Sequence, residues 1–423
     1  MQTIPENEIQ VLRSLAARLA ELSKRDKNKA NAEAWKDLNA LKPGSKPMVL
    51  VHLWETAWGE LLPKEETFQC RSERGFFYEN QLRRKLWMAA NITDDGVEEP
   101  VIQYPTGADL SPYGGLDWRI EYAEGEDSTS GAYHYIPVLN EKKDIEKLQD
   151  PILQYDSSLA AAYKKEAEEI FDGLLDCVPE TQAFAGKVTD EYSWLRGLDK
   201  IYFDLIDDPE WTHEVLQRIC DNYIMRFKML EEAGLWGRWE KSDPLGSTGL
   251  RYCHDMDDYP ATMEKGSLKL SDTWAFFTAE AFNNISPDMH YDFAYTYDRQ
   301  MAPLFKYINV GCCEDLTHKI EGIRTIPNVR RISVSEWADV KVAAEAIGND
   351  YVYGYKPSGV PFVMNWSDEE VRKELRTVLD CTSDSSVELI LNIGGTTGKN
   401  GEENLKQWTR IANEEVDRYM SKN

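Results

Sequence analysis

The chain is short of cysteine, of basic residues and of long apolar runs, and each shortage removes a class of protein. Its seven cysteines, at positions 70, 177, 220, 253, 312, 313 and 381, are odd in number and form no CxxC pair, which points away from a disulfide framework and from a zinc ribbon. Lys and Arg number 48 against 74 Asp and Glu, a formal charge of −26. Binding to a phosphate backbone depends on Lys and Arg displacing counterions, so nucleic acid is not an expected partner. No stretch approaches the roughly 20 apolar residues needed to span a bilayer. The opening Met-Gln-Thr-Ile-Pro-Glu-Asn-Glu lacks a basic region leading into an apolar one, so no membrane association is expected and the expected location is the cytoplasm, with reduced thiols. The first apolar run is not followed by a Gly-rich phosphate turn, which disfavours a doubly wound dinucleotide fold.

What is present is material for a large core: 42% of the 423 residues are hydrophobic, with 13 Trp, 21 Tyr and 13 Phe, whereas disordered chains are poor in aromatics. Ile9, Leu12, Leu15, Ala16 and Leu19 have the spacing of an amphipathic helix. Trp35, Leu38 and Leu41 predict a second, shorter one before Pro43 and Gly44. Residues 1–45 therefore read as a helical N-terminal extension. Beyond them, short apolar runs at 48–53, 101–104, 181–186, 235–239, 267–270, 307–310, 329–334, 351–355 and 387–393 alternate with amphipathic stretches at 76–89, 158–175, 209–232, 287–305, 316–323, 337–347 and 368–380. In the stretch 209–232, Asp207 or Asp208 is placed to cap, Pro209 suits the first helical position and Gly234 follows the end. Strands alternating with helices predict an α/β fold, a (β/α)8 TIM barrel over 46–423. Residues 111–140 break the alternation and read as a β-hairpin insertion.

Barrel chemistry sits at the C-terminal ends of strands. Trp54, Glu55 and Trp58 follow the first run. His254, Asp255, Asp257 and Asp258 lie in a long insertion. Asp272 and Trp274 follow the run at 267–270, with Glu280 further on, and Cys312, Cys313 and Glu314 follow the run at 307–310. Thiolate with carboxylate or imidazole on adjacent loops outlines an open zinc site. The competing readings are ordinary ones: free cysteine is among the most buried residue types, a helical Glu is commonly solvated, a polar loop histidine need do nothing, and tryptophans are commonly core.

The sequence resembles the uroporphyrinogen decarboxylase-like superfamily. Tyr202-Phe-Asp-Leu-Ile-Asp-Asp-Pro-Glu-Trp and Ile285-Ser-Pro-Asp-Met-His-Tyr-Asp-Phe are similar to two of its segments. Matches continue in order through 329–340, Trp366-Ser-Asp-Glu-Glu-Val, 389–395 and Glu403-Asn404-Leu405. One branch decarboxylates a tetrapyrrole whose carboxylates are gripped by arginines after the first strand. Here that segment reads Leu53-Trp-Glu-Thr-Ala-Trp-Gly-Glu-Leu, with two acids and no arginine, and repels a polycarboxylate. The other branch transfers methyl groups to or from a corrinoid carrier protein and holds zinc with a His-x-Cys pair and a second Cys on the last strand. Cys313 matches the first cysteine, but Gly311 stands at the histidine position and Gly394 and Gly395 where the last cysteine is expected. Glu280 and Cys312 are the first candidates to complete the set, with His254 next. The Gly-Cys-Cys-Glu segment and Trp274-Ala-Phe-Phe-Thr-Ala-Glu280 resemble corrinoid-dependent O-demethylation methyltransferases of anaerobic bacteria.

The resemblance implies transfer of a methyl group from a small donor, such as a methoxylated aromatic, to the Co(I) corrinoid of a separate protein. Cys313, Glu280 and Cys312 are the expected zinc ligands. Asp272, Glu314 and His254 are the expected proton donors, and Trp54, Glu55, Trp58 and Trp274 the expected substrate wall. The rival readings are a decarboxylase of a smaller acid, and a barrel that binds a small molecule without turnover.

Overall fold

Six of the nine apolar runs fold as parallel strands, bounded by turns and buried on both faces. The computed structural model describes residues 3–116, 118–122, 133–246, 248–257, 266–383 and 385–422. Eight strands fall into two parallel sheets: β1 (Met48–Leu53), β2 (Val101–Tyr104), β3 (Asp176–Pro179), β4 (Trp274–Phe277), β5 (Tyr307–Val310), β6 (Val329–Ser335), β7 (Val352–Lys356) and β8 (Ser386–Ile393). Six of them pair in the parallel order β1-β8-β7-β6-β5-β4 and curl into half a barrel. β2 and β3 form a separate parallel pair, and the chain beyond β3 reaches β4 through a single bridge, Gly186 to Phe277. Among the described residues no ladder joins β1 to β2, so strand pairing does not close the barrel. Side chains cover that edge instead: Asp95 accepts the Val49 N–H at 2.8 Å and Asp94 the Val51 N–H at 3.0 Å.

Around the sheet run α1 (Glu6–Ser23), α2 (Asp26–Asn39), α3 (Glu55–Leu61), α4 (Glu73–Asn91), α5 (Ser157–Phe171), α6 (Val188–Arg196), α7 (Leu198–Asp207), α8 (Pro209–Glu232), α9 (Val340–Ile347), α10 (Asp368–Cys381) and α11 (Gly401–Met420). α8 has the expected bounds, but the Asp208 carboxylate pairs with Lys142 and does not cap it. Leu12, Leu15 and Leu19 of α1 pack with Tyr78, Leu82 and Phe171 of α4 and α5. Trp35 and Leu38 of α2 pack with Met48, Leu50, Val352 and Ile390, which face the barrel interior from β1, β7 and β8. The alternate residues Val49, Val51, Tyr353, Leu389 and Leu391 join the large cluster outside the sheet, as the period of two requires.

Three expected strands fold otherwise. The run at 181–186 contributes only the bridges Gln182 to Trp236 and Gly186 to Phe277, and Asp176–Pro179 ahead of it supplies the strand. The run at 235–239 contributes one bridge, Trp236 to Gln182, and the chain after it enters the lower barrel. There Arg331 and Glu388, both fully buried, pair at 3.0 Å, and Arg331 also donates to the carbonyls of Gly249 and Leu250. The run at 267–270 ends in a tight turn, Leu270–Asp272, and the aromatic Trp274-Ala-Phe-Phe that follows supplies the strand, as bulky side chains fit a pleated surface. The expected helix over 287–305 is broken into Pro287–His290, a wider π turn at Tyr291–Tyr295, Thr296–Met301 and a last tight turn at Ala302–Leu304. In the expected insertion, Ile120–Tyr122 pairs antiparallel with Tyr133–Tyr135; the turn between them, and Asp258, lie outside the described residues. Among the described residues no helix is long and apolar enough to cross a membrane.

Candidate functional site

The C-terminal ends of the strands carry a ring of polar side chains that follows from register. In β1, Met48 and Leu50 face inward, so His52 does too, paired across the sheet with Asn392 of β8. In β7, Val352 faces inward, and so does Lys356, opposite Ser335 of β6. The Trp54 indole donates to Asn392 Oδ1 at 2.6 Å. Burial pushes the His52 imidazole down to about 4, with Arg238 and Lys356 acting in the same direction and Asp243 opposing, so it is neutral at pH 7. Both His52 Nδ1 and Lys356 Nζ are buried with no hydrogen-bond partner among the described residues.

Next in the ring, the loops after β4 and β5 bring Glu280, Cys312 and Cys313 together, with one ligand atom from each within 4.8 Å of the others. The two sulfurs are 3.5 Å apart. Gly311 makes this approach possible: its φ is +92°, and a Cβ there would stand 2.5 Å from Leu316 Cδ1. The histidine that the resemblance would place at 311 is therefore disfavoured by the backbone conformation and by the nearby Ser333 carbonyl at 3.0 Å. At the other departure, a Cβ on Gly395 would meet nothing within 4 Å, so steric crowding does not account for the missing cysteine.

Glu314 ties the two loops. It accepts from Thr278 Oγ1 at 2.6 Å, from Ala279 N at 2.7 Å and from Cys312 N. Burial opposes its charge, but these donors hold its pKa below the usual carboxylate value. Glu314 thus holds the two loops together as an acceptor of three hydrogen bonds. The two thiols share a hydrogen bond in which either sulfur can donate; this contact favours ionisation of Cys313 over Cys312, burial opposes ionisation of both, and the Lys356 ammonium favours it. Cys313 is therefore the first of the pair to become a thiolate. Asp190 of α6, absent from the sequence-based set, accepts the Ala281 N–H at 2.6 Å and fixes the backbone next to Glu280.

The remaining expected residues are not brought to this end. Asp272 precedes β4, so it lies at the N-terminal end of the strand, where with Asp255, Met256, Ser267, Leu268 and Lys306 it lines a cavity of about 280 Å³. His254 binds Asp37 of α2 at 3.0 Å, also at the N-terminal end. Trp274 begins β4 and is buried with its ring 4.8 Å from the Arg331 guanidinium. Trp58 is buried edge-on to Trp87 at 5.7 Å, and Glu55 forms a two-pronged pair with Arg84 at 2.6 and 2.7 Å. Of the four substrate-wall candidates, Trp54 alone reaches the ring from its strand end, 44% exposed. His52 and Lys356 carried a sequence signal that periodicity alone could have found: each is a polar residue at the end of an apolar strand run.

No protein-family model matches the chain, and no curated protein matches it. Among solved structures, the chain is similar to a methyltransferase from Methanosarcina mazei, with a TM-score of 0.53 at 11% identity over 91% of this chain and 98% of that one. At that identity the likeness concerns the fold, and it extends over both chains nearly end to end.

Proposed function

We propose that the chain is a corrinoid-dependent methyltransferase on an open (β/α)8 barrel of the uroporphyrinogen decarboxylase-like type, moving a methyl group from a small methylated donor to the Co(I) corrinoid of a separate protein. The observation that carries this reading is the meeting of Glu280, Cys312 and Cys313 at the C-terminal ends of two adjacent strands. That is a three-ligand, open-sided set of the kind catalytic zinc takes. The residues fit that ion: two thiolates about 2.3 Å from a tetrahedral zinc lie roughly 3.7 Å apart, close to the 3.5 Å between these sulfurs. When bound, zinc supplies Lewis acidity toward a poor leaving group.

The chain's own residues prepare the site. Cys313 loses its proton first, and the Cys312 proton is released when Cys312 also becomes a ligand. Glu314 keeps Thr278, Ala279 and Cys312 in register, so the two loops present their ligands together. Trp54, held by Asn392, gives the mouth an aromatic wall on which an apolar donor packs.

The test is optical. Enzyme, a reduced corrinoid protein and methoxylated aromatic donors are mixed and the Co(I) band followed. Loss of that band with growth of the methyl-Co(III) spectrum, abolished in Cys313→Ala, is the expected result. No conversion with any methoxy, methylamino or methylthio donor overturns the reading, and release of CO2 without corrinoid replaces it with decarboxylation.

A further inference from the structure

Lys356 is the last residue of β7 and is 6% exposed. Its ammonium has no hydrogen-bond partner and no carboxylate within ion-pair distance among the described residues. A buried ammonium without either costs several kcal/mol of desolvation, and native structures retain such groups where a ligand or function supplies the partner. The location is specific. The ammonium lies close enough to His52, Cys312 and Cys313 to act on the charge of each, placing it between the β1 and β5 sides of the mouth. His52 Nδ1 is orphaned beside it. On β8, Asn392 Oδ1 is already taken by Trp54, and the Glu388 carboxylate, which feels the Lys356 charge from deeper in the barrel, is paired with Arg331.

We propose that Lys356, with the neutral His52 imidazole beside it, forms a binding subsite for one carboxylate, so that the donor is a singly charged methylated acid with its methyl group turned toward Glu280, Cys312 and Cys313. This rests on the methyl-transfer reading for the orientation of the ligand, but not for the anion site itself. One buried cation matches one anion. It does not reverse the exclusion of a polycarboxylate, because one ammonium balances one carboxylate and Glu280 stands on the same rim. The competing role for Lys356 is to balance the charge of two thiolates.

The experiment measures binding without turnover, by titration calorimetry on the zinc-loaded full chain with no corrinoid protein present. 4-Methoxybenzoate is the probe, and 4-methoxybenzamide, of the same shape and neutral, is the control. The wild type is expected to bind the acid at least about tenfold more tightly than the amide. Lys356→Met is expected to weaken the acid by roughly 10- to 100-fold, the range of a charge-assisted hydrogen bond, while leaving the amide and the zinc content unchanged. Lys356→Met is also expected to melt at a higher temperature than the wild type, since an unpaired buried charge is removed. Equal binding of acid and amide by the wild type overturns the proposal, and that comparison needs no variant. Loss of zinc in Lys356→Met also overturns it, in favour of charge balance. Lys356-dependent binding of the acid with no methyl transfer to any corrinoid leaves this subsite standing and removes the methyltransferase reading.

Discussion

At Gly311 a φ of +92° and the nearness of Leu316 and the Ser333 carbonyl disfavour a side chain, and the neighbouring Cys312 and Cys313 depend on that turn for their approach to Glu280. Gly311→Ala is expected to cost about 1–3 kcal/mol, the range for a side chain forced into the left-handed region, and to lower zinc retention. Urea unfolding and metal analysis check both, and an unchanged midpoint contradicts the account. Glu314→Gln removes a charge that three donors hold, so a loss of about 1–3 kcal/mol is expected, with the Cys312 loop the first region to gain amide exchange. The meeting of Glu280, Cys312 and Cys313 was legible in the sequence because thiols and a carboxylate followed apolar runs at consecutive strand positions. The positions of Asp272 and His254 were not, because the run before Asp272 ends in a turn ahead of β4 and the insertion carrying His254 packs against α2. Glu314 looked reactive in sequence, and only its three donors in the fold show it to be a clamp.

Strands were most legible where apolar runs were long and bounded, as in β1, β6 and β8. They were least so at 235–239 and 267–270, where Trp236 packs against Phe227 and Phe305 and where Leu270 begins a turn held by Glu231. Local pattern cannot distinguish a strand from an apolar segment that packs without a ladder. The uncovered edge of β1 was also invisible in sequence, since Asp94-Asp95 reads as a solvated loop. In the fold, Asp95 accepts from Val49 N and pairs with Lys46 at 2.8 Å. Asp95→Ala leaves a buried N–H orphaned beside the core of β1, and a loss of about 1–3 kcal/mol is expected. A circular-dichroism melt tests it, and a stability within error of wild type shows that solvent reaches this edge.

Charge acts at the scale of the whole molecule. Burial pushes Glu99 up to about 7 and lifts Asp190 and Asp298 well above the usual carboxylate value. The buried His52 and His290 are pushed down to about 4, and their stabilising neutrality is lost only as pH falls below the unfolded imidazole value of about 6.5. Above that value the unfolded imidazoles give up only their remaining protons, while the three folded carboxyls hold protons that the unfolded ones have released and outweigh them. Folding therefore takes up protons there, and stability falls as pH rises. The formal charge of −26 adds repulsion in the same direction. The metal-free protein is expected to have a higher urea midpoint at pH 6.5 than at pH 7.5, and the reverse order contradicts the buried-carboxyl account.

The central claim is the metal site itself, and zinc K-edge X-ray absorption on the purified chain tests it most directly. The account predicts about one zinc per chain, with two sulfur neighbours at about 2.3 Å and the remaining shell oxygen at about 2.0–2.2 Å. Zinc below about 0.1 per chain after purification without chelator, where structural and catalytic sites normally stay loaded, or a shell with no sulfur, contradicts it.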